Sequence, residues 1–215
     1  NIGFDETSTG FSAGVQNALD EQWVAGFGFS YESTDLDTDT HAWSEGDRFQ
    51  GGLVIKRQFG GTKLAALLTG GYADYDTHRS INFPGLSENV HGDQKLGFGS
   101  IHLNAAHSFE SGPWYFRPAV DAGVTHYVLN NFDETGSDLV GLALHGDQQT
   151  FFTVEPSIEL GAELQANNVL YRPFVRLGLM QFIGDESPSI DARLQLAPAG
   201  VAPFTTEDDF AKTFG

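Results

Sequence analysis

The residues with the clearest chemical potential lie in 154–182, VEPSIELGAELQANNVLYRPFVRLGLMQF. Glu155, Glu159 and Glu163 occupy one parity of its first half, and Arg172 and Arg176 occupy one parity of its second. Residues two apart share a face of a strand. If QANN turns the chain with Leu164 opposite Val169, Glu159 and Glu163 flank Arg172 diagonally, and Glu155 and Glu159 flank Arg176. Diagonal neighbours about 7–8 Å apart are within reach of long side chains, so charge-assisted pairs are expected. Arg117 and Asp121 repeat the theme in WYFRPAVDAGVTHYV (114–128). Such a ladder can stiffen a polar interior, or it can grip a segment passing through.

Other groups invite catalytic or metal chemistry. DLDTDTH (35–41) spaces Asp35, Asp37 and Asp39 as in a calcium loop, but Thr40 and Gly46 stand where that pattern needs Gly and Glu. His91 with Asp93, and His145 with Asp147, fall in expected neighbouring loops and could serve a hydrolase. No serine elbow accompanies them. His102 and His107 are five apart, hence on opposite strand faces. The expectation is therefore no catalytic residue, no cofactor and no metal site. A net charge of −18 argues against nucleic acid as a partner. The absence of cysteine removes disulfide and thiolate chemistry.

The elements that hold these charges alternate with period two. TGFSAGVQNAL (9–19) sets Phe11, Ala13, Val15 and Leu19 against Gly10, Ser12, Gly14 and Gln16. WVAGFGFSYE (23–32), RFQGGLVIKRQF (48–59) and 114–128 do the same. Residues 63–76 and 94–109 alternate less cleanly, and the apolar parity of the latter switches near Gly99, which suggests a bulge. Eight strands in four hairpins are expected. Their connections alternate between short (20–22, 60–62, 110–113, 165–168) and long (35–47, 77–93, 132–148, 184–207).

Short turns at one end and long loops at the other describe an outer-membrane β-barrel. Trp23, Phe59, Phe109, Trp114 and Tyr171 lie on the apolar face beside the short turns, with Tyr31, Tyr72 and His126 at the far end. Aromatic girdles mark the two membrane interfaces of such barrels. The polar face is then the lumen. Pro118, Pro156 and Pro173 disagree with this reading, because proline inside a strand removes a ladder donor. NIGFDETSTG is acidic and polar, unlike a signal peptide. No stretch reaches the roughly 18 apolar residues of a membrane helix. A ninth strand starts at Phe210, so the chain reads as one barrel domain over 1–215, incomplete at both ends.

Five stretches carry a resemblance in a fixed order: TGFSAGVQNALDEQWVAGFGFSYESTDLD, LLTGGYADYDTHR, SGPWYFRPAVDAGVTHY, FFTVEPSIELGAE and LYRPFVRLGL. Together they resemble the C-terminal translocator domain of autotransporters, the type V secretion family. The resemblance implies an all-β, antiparallel transmembrane barrel of twelve strands, about eight of them present. It implies a non-enzymatic domain that anchors and helps export an N-terminal passenger, whose linker helix is held in the pore. Expected partners are outer-membrane lipid and lipopolysaccharide, the domain's own linker and the barrel-assembly machinery. Two other readings remain open. One is a small eight-stranded outer-membrane protein with adhesive loops, in which the strand of Gln16 pairs with residues near 170–183. The other, ranked third, is a loop-borne hydrolase.

Overall fold

The computed structural model of the chain describes residues 4–38, 42–166, 169–184, 189–198, 200–207 and 213–214. No helix occurs among them. In chain order the strands are β1 (Phe4–Ala18), β2 (Trp23–Thr38), β3 (Ala42–Phe59), β4 (Thr62–Phe83), β5 (Leu86–His107), β6 (Phe109–Ser111), β7 (Trp114–Leu129), β8 (Phe132–Asp133) and β9 (Leu142–His145). Then come β10 (Gln148–Ala162), β11 (Leu164–Ala166), β12 (Val169–Tyr171), β13 (Phe174–Gly178), β14 (Met180–Gly184), β15 (Ser189–Leu194), β16 (Phe204–Glu207) and β17 (Thr213–Phe214). One sheet runs β1-β2-β3-β4-β5-β7-β10-β14-β17, with β6 added to β7 and β13 added to β10. Every pairing in it is antiparallel and joins strands that follow one another within that sheet, which is the meander that alternating hairpins produce. The expected ninth strand is present as β17 against β14; Phe210 lies outside the described residues.

The sheet is apolar on its outside. Leu53 is 59% and Leu177 67% exposed. The buried apolar residues among those described are only Ala73, Val90, Ala162 and Ala192. An apolar band of this extent exceeds the few hundred Å² that soluble monomers expose. It is accounted for when lipid covers it.

Four expectations need correction. Residues 35–47 and 77–93 are not loops. β2 and β3 extend to Thr38 and from Ala42, and β4 and β5 are 22 residues each, joined at Pro84–Gly85. Gly85 takes φ +92, which a residue without Cβ adopts at little cost. These extensions stand beyond the roughly 9–11 residues that cross a membrane. Polar surroundings on both faces erase the alternation that would announce a strand.

The parity switch near Gly99 is not a bulge either. β4 and β5 keep one register from Thr62↔His107 to Phe83↔Leu86. Phe98 instead turns inward, into space that Gly71 leaves open: a Cβ at Gly71 would lie 2.5 Å from the Phe98 ring.

The prolines, which stood against the barrel reading, are accommodated within its ladders. The β5–β7 ladder ends at Ala106↔Ala119 and resumes as β6–β7 at Phe109↔Phe116, three residues on along each chain, with Pro118 in the gap. Pro156 stands opposite the gap between β13 and β14, where Leu179 N donates to Pro156 O at 3.2 Å. Pro173 separates β12 from β13, and Ala162 N donates to its carbonyl at 3.0 Å. Each proline removes one donor, still accepts where a bond forms, and leaves the register intact.

The fourth correction concerns QANN. The structure pairs Leu164 with Tyr171 and Ala166 with Val169, a slip of two from the expected register. A slip of two leaves every side chain on its face but changes its neighbours.

Residues expected to be the two later long loops contribute a second sheet, ordered β16-β15-β9-β8. It docks on the inward side of the β4–β5 extension. Arg79 Nη2 meets Glu134 Oε2 at 2.5 Å, and the Glu134 carboxylate also accepts from Leu142 N at 2.9 Å. Gln195 Nε2 donates to Glu134 O at 2.5 Å, tying both connections together.

Candidate functional site

Period-two geometry delivers one inner wall built from two chemistries. On β7, β10 and β13, charged side chains alternate with the lipid-facing residues. Arg117 Nη1 pairs with Glu159 Oε1 at 2.8 Å, and Tyr115 Oη donates to the same oxygen at 2.7 Å. Arg117 Nε donates to Ser108 Oγ at 2.8 Å, and its guanidinium lies 4.6 Å from the Tyr115 ring centre. Tyr115 lies along the wall over Gly161, which has no side chain to obstruct it. The Glu159 side chain is only 16% exposed, so its two hydrogen-bonding partners, Arg117 and Tyr115, replace part of the water it loses.

Further along the strands sits a second network. Arg176 Nη2 reaches Asp121 Oδ2 at 3.3 Å and Glu155 Oε1 at 3.6 Å. Asn104 Nδ2 donates to Asp121 Oδ1 at 2.7 Å. Among the described residues Arg172 pairs with Glu163 alone, at 3.1 Å. The slipped register explains this partition. Glu163 stands directly across from Arg172 rather than diagonally. Arg176 is directly across from Glu159 but turns to Glu155, because Arg117 and Tyr115 already occupy Glu159. Arg117, Asp121, Glu155, Glu159, Glu163, Arg172 and Arg176 thus all lie on the inner face, in three groups rather than one ladder.

The inner face of β1–β3 is bare by comparison. Gly14, Gly28 and Gly52 are directly paired across the three strands. They floor a trough of about 620 Å³ edged by Ser12, Gln16, Ser30 and Gln50.

The aromatic positions beside the short turns lie on the outer face. Phe59 is 41%, Phe109 55%, Trp114 63% and Tyr171 54% exposed. Phe109 stacks on Phe116 at 6.1 Å. Trp23 is half-buried beneath Arg57, whose guanidinium lies 5.1 Å from its ring centre and 5.2 Å from that of Phe59. Sequence reasoning missed Arg57, although it has the parity of Phe59. It also missed Tyr115 and Asn104, although they have the parity of Arg117 and of His102. At the other end Tyr31 packs on Phe49 at 4.9 Å and donates to Asp47 at 2.6 Å.

The catalytic and calcium candidates do not assemble. Asp35 and Asp37 lie on a strand, not in a loop, and Asp39 is outside the described residues. His91 stacks with His78 at 5.8 Å, and Asp147 accepts from Gln149. No group of three metal-ligating side chains forms among the described residues. The eight-stranded closure also fails among them: β1 pairs with β2 alone, and β14 pairs with β10 and β17.

A search of curated proteins returned no match. Among solved structures, the chain is similar to the translocator domain of the autotransporter NalP from Neisseria meningitidis, with TM-score 0.62 and 11% identity over 89% of this chain and 74% of that one. It is also similar to the β domain of the Bordetella autotransporter BrkA, with TM-score 0.58 and 20% identity over 89% and 79% of the two chains. At such identities the likeness concerns the fold. The autotransporter β-domain family model, in contrast, matches residues 1–215 throughout. An outward apolar face, a polar inner face and an antiparallel meander suit passenger export through an outer-membrane β-barrel, and by that match this chain belongs to the autotransporter β-domain family.

Proposed function

We propose that the inner wall holds the chain's own passenger linker as a helix between the charged groups of β7–β13 and the glycine trough of β1–β3. The carrying observation is the asymmetry of that wall. Arg117 and Glu159 neutralise each other in place, whereas Arg176 is shared by Asp121 and Glu155, which leaves one carboxylate charge over on a half-exposed group that can meet a basic or hydrogen-bond-donating side chain of a passing segment. The trough offers backbone, small polar groups and the side chains of Val54 and Leu67, against which a helix about 10–12 Å wide can lie. The domain acts as conduit and anchor, with no chemical step of its own. Lipopolysaccharide and the barrel-assembly machinery are its external partners, and the girdle residues Trp23, Phe59, Phe109, Trp114 and Tyr171 fix its depth in the bilayer.

A photo-crosslinking amino acid in the full-length protein tests the proposal. Placed at Gln50 or at Arg176, it should capture the protein's own linker. Placed at lipid-facing Leu53, it should not. Equal capture from Leu53, or none from the inner positions, overturns the reading.

A further inference from the structure

Above the lipid belt, the outer face of β3–β5 carries a stacked aromatic platform. Trp43 and His78 are directly paired across β3 and β4, with ring centres 3.9 Å apart and planes 8° from parallel. His78 and His91 are directly paired across β4 and β5, at 5.8 Å and 22°. Trp43 is 42% exposed and His91 is also exposed. Three flat rings thus run side by side over three strands without a covering segment among the described residues. A solvated hairpin has no need to place its tryptophan outward.

The height of the platform restricts what can cover it. It stands six residues beyond the row Phe49–Tyr72 on the same face. Six residues rise about 20 Å along a strand, or roughly 15 Å along the membrane normal at the usual barrel tilt of about 40°. A phospholipid headgroup layer is only about 5–8 Å thick. The surface is continuous with the lipid-facing belt below it, so its neighbour in place is whatever stands tallest on the outer-leaflet lipids. The row directly below, Asp35, Glu45, Asp76 and Asp93, consists of carboxylates paired across four strands. Carboxylates accept hydrogen bonds from hydroxyl groups and repel bare phosphate. Aromatic faces take the C–H face of a pyranose ring as they take other flat apolar groups.

We infer that Trp43, His78 and His91 dock the core saccharide of outer-leaflet glycolipid, with the neighbouring carboxylates receiving its hydroxyl groups. The inference rests on the reading of the chain as a membrane barrel with this end outside.

The test uses the full-length protein in nanodiscs of three compositions: phospholipid alone, lipopolysaccharide with a complete core, and lipopolysaccharide truncated to its phosphorylated lipid. The readout is the emission of Trp43, taken as the difference between wild type and Trp43→Phe. A shift confined to the complete core is expected, and His78→Ala should abolish it while the barrel keeps its heat-resistant mobility. A shift of equal size with the truncated lipid assigns the site to the phosphate layer and overturns the saccharide. A shift in phospholipid alone that grows with protein density indicates a second copy and also overturns it, as does no shift at all. Trp23 and Trp114, read through their own phenylalanine variants, report insertion in every disc. If they report water, the membrane reading has failed rather than the saccharide one.

Discussion

The two halves of the inner face solve the same packing problem in opposite ways. β7, β10 and β13 fill it with long charged side chains whose ends bind one another: Glu159 takes Arg117 and Tyr115, and Asp121 takes Arg176 and Asn104. β1–β3 leave its middle open, with Gly14, Gly28 and Gly52 in a row, Ser12, Gln16, Ser30, Gln50, Val54 and Leu67 around them, and charged groups only further along the strands, at Arg48–Glu32 and at Lys56. The charged half is held most firmly where a group has several partners, as at Glu159 and Asp121, because removing one leaves the others stranded. The glycine half gains space at the expense of local strand propensity. A conduit needs both, a wall that keeps its shape and a surface that lets another backbone come close.

The sharpest way to break this contrast is to remove Glu159. Glu159→Ala should leave Arg117 without its carboxylate in a half-buried setting and Tyr115 without an acceptor, at a cost of about 1–3 kcal/mol. The melting midpoint followed by heat-modifiable mobility reads it, and Glu159→Gln should recover part of the loss. An unchanged midpoint means the network contributes shape and not stability. The bare half should respond in function instead. A Cβ at Gly28 would meet nothing closer than Ala13 O at 3.3 Å, so a larger side chain there projects into the trough. Gly28→Leu is expected to leave the barrel folded and to reduce passenger display by about tenfold, the equivalent of the lower part of the 1–3 kcal/mol that overpacking costs. Normal display would show that the trough is not used.

How much of this was legible depended on whether the two faces of a strand met different solvents. Within the membrane belt they do, so alternation placed Phe11, Phe27, Leu53 and Leu177 outside and Glu155, Glu159, Arg172 and Arg176 inside. Beyond the belt both faces meet water. Asp35, Glu45 and Asp93 therefore read as loops although they lie on paired strands. Register was beyond reach for a related reason, since a slip of two residues preserves every face. Phe98 misled because its inward pocket is provided by Gly71 on another strand. The Arg79–Glu134 contact joins residues 55 apart, and no local pattern announces it.

On the outer face beyond the membrane, the row Asp35, Glu45, Asp76 and Asp93 is of one sign, which predicts a smaller and opposite response. Asp76 shares a hydrogen bond with Asp93, and this raises its carboxyl above the ordinary value; desolvation and repulsion from Asp93, Asp74 and Glu45 add to the rise. A folded value above the unfolded one means the native hairpin holds the extra proton. Its contribution is complete below the unfolded carboxylate value and is lost as pH rises through the raised one. Protection of the β4–β5 tip against amide exchange should therefore weaken as pH is raised from the acid side, after correction for intrinsic exchange. Asp76→Asn should flatten that dependence. A tip that gains protection over the same interval would contradict the sign.

The smallest effect is expected where sequence alone suggested a large one. Arg172 was expected between two glutamates, so its loss would have loosened the wall. In the structure it has one partner among the described residues, Glu163, at 3.1 Å, and the two side chains are 64% and 55% exposed. Water screens such a pair, and exposed pairs contribute about 0–1 kcal/mol. Arg117 and Glu159 are 31% and 16% exposed, on the same wall and only a few residues away. Arg172→Ala should therefore leave the midpoint within about 0.5 kcal/mol of wild type, and adding Glu163→Ala should change nothing more. If Arg172→Ala destabilises as much as Glu159→Ala, the number of partners and the degree of burial do not govern this wall, and the contrast between its halves loses its physical basis.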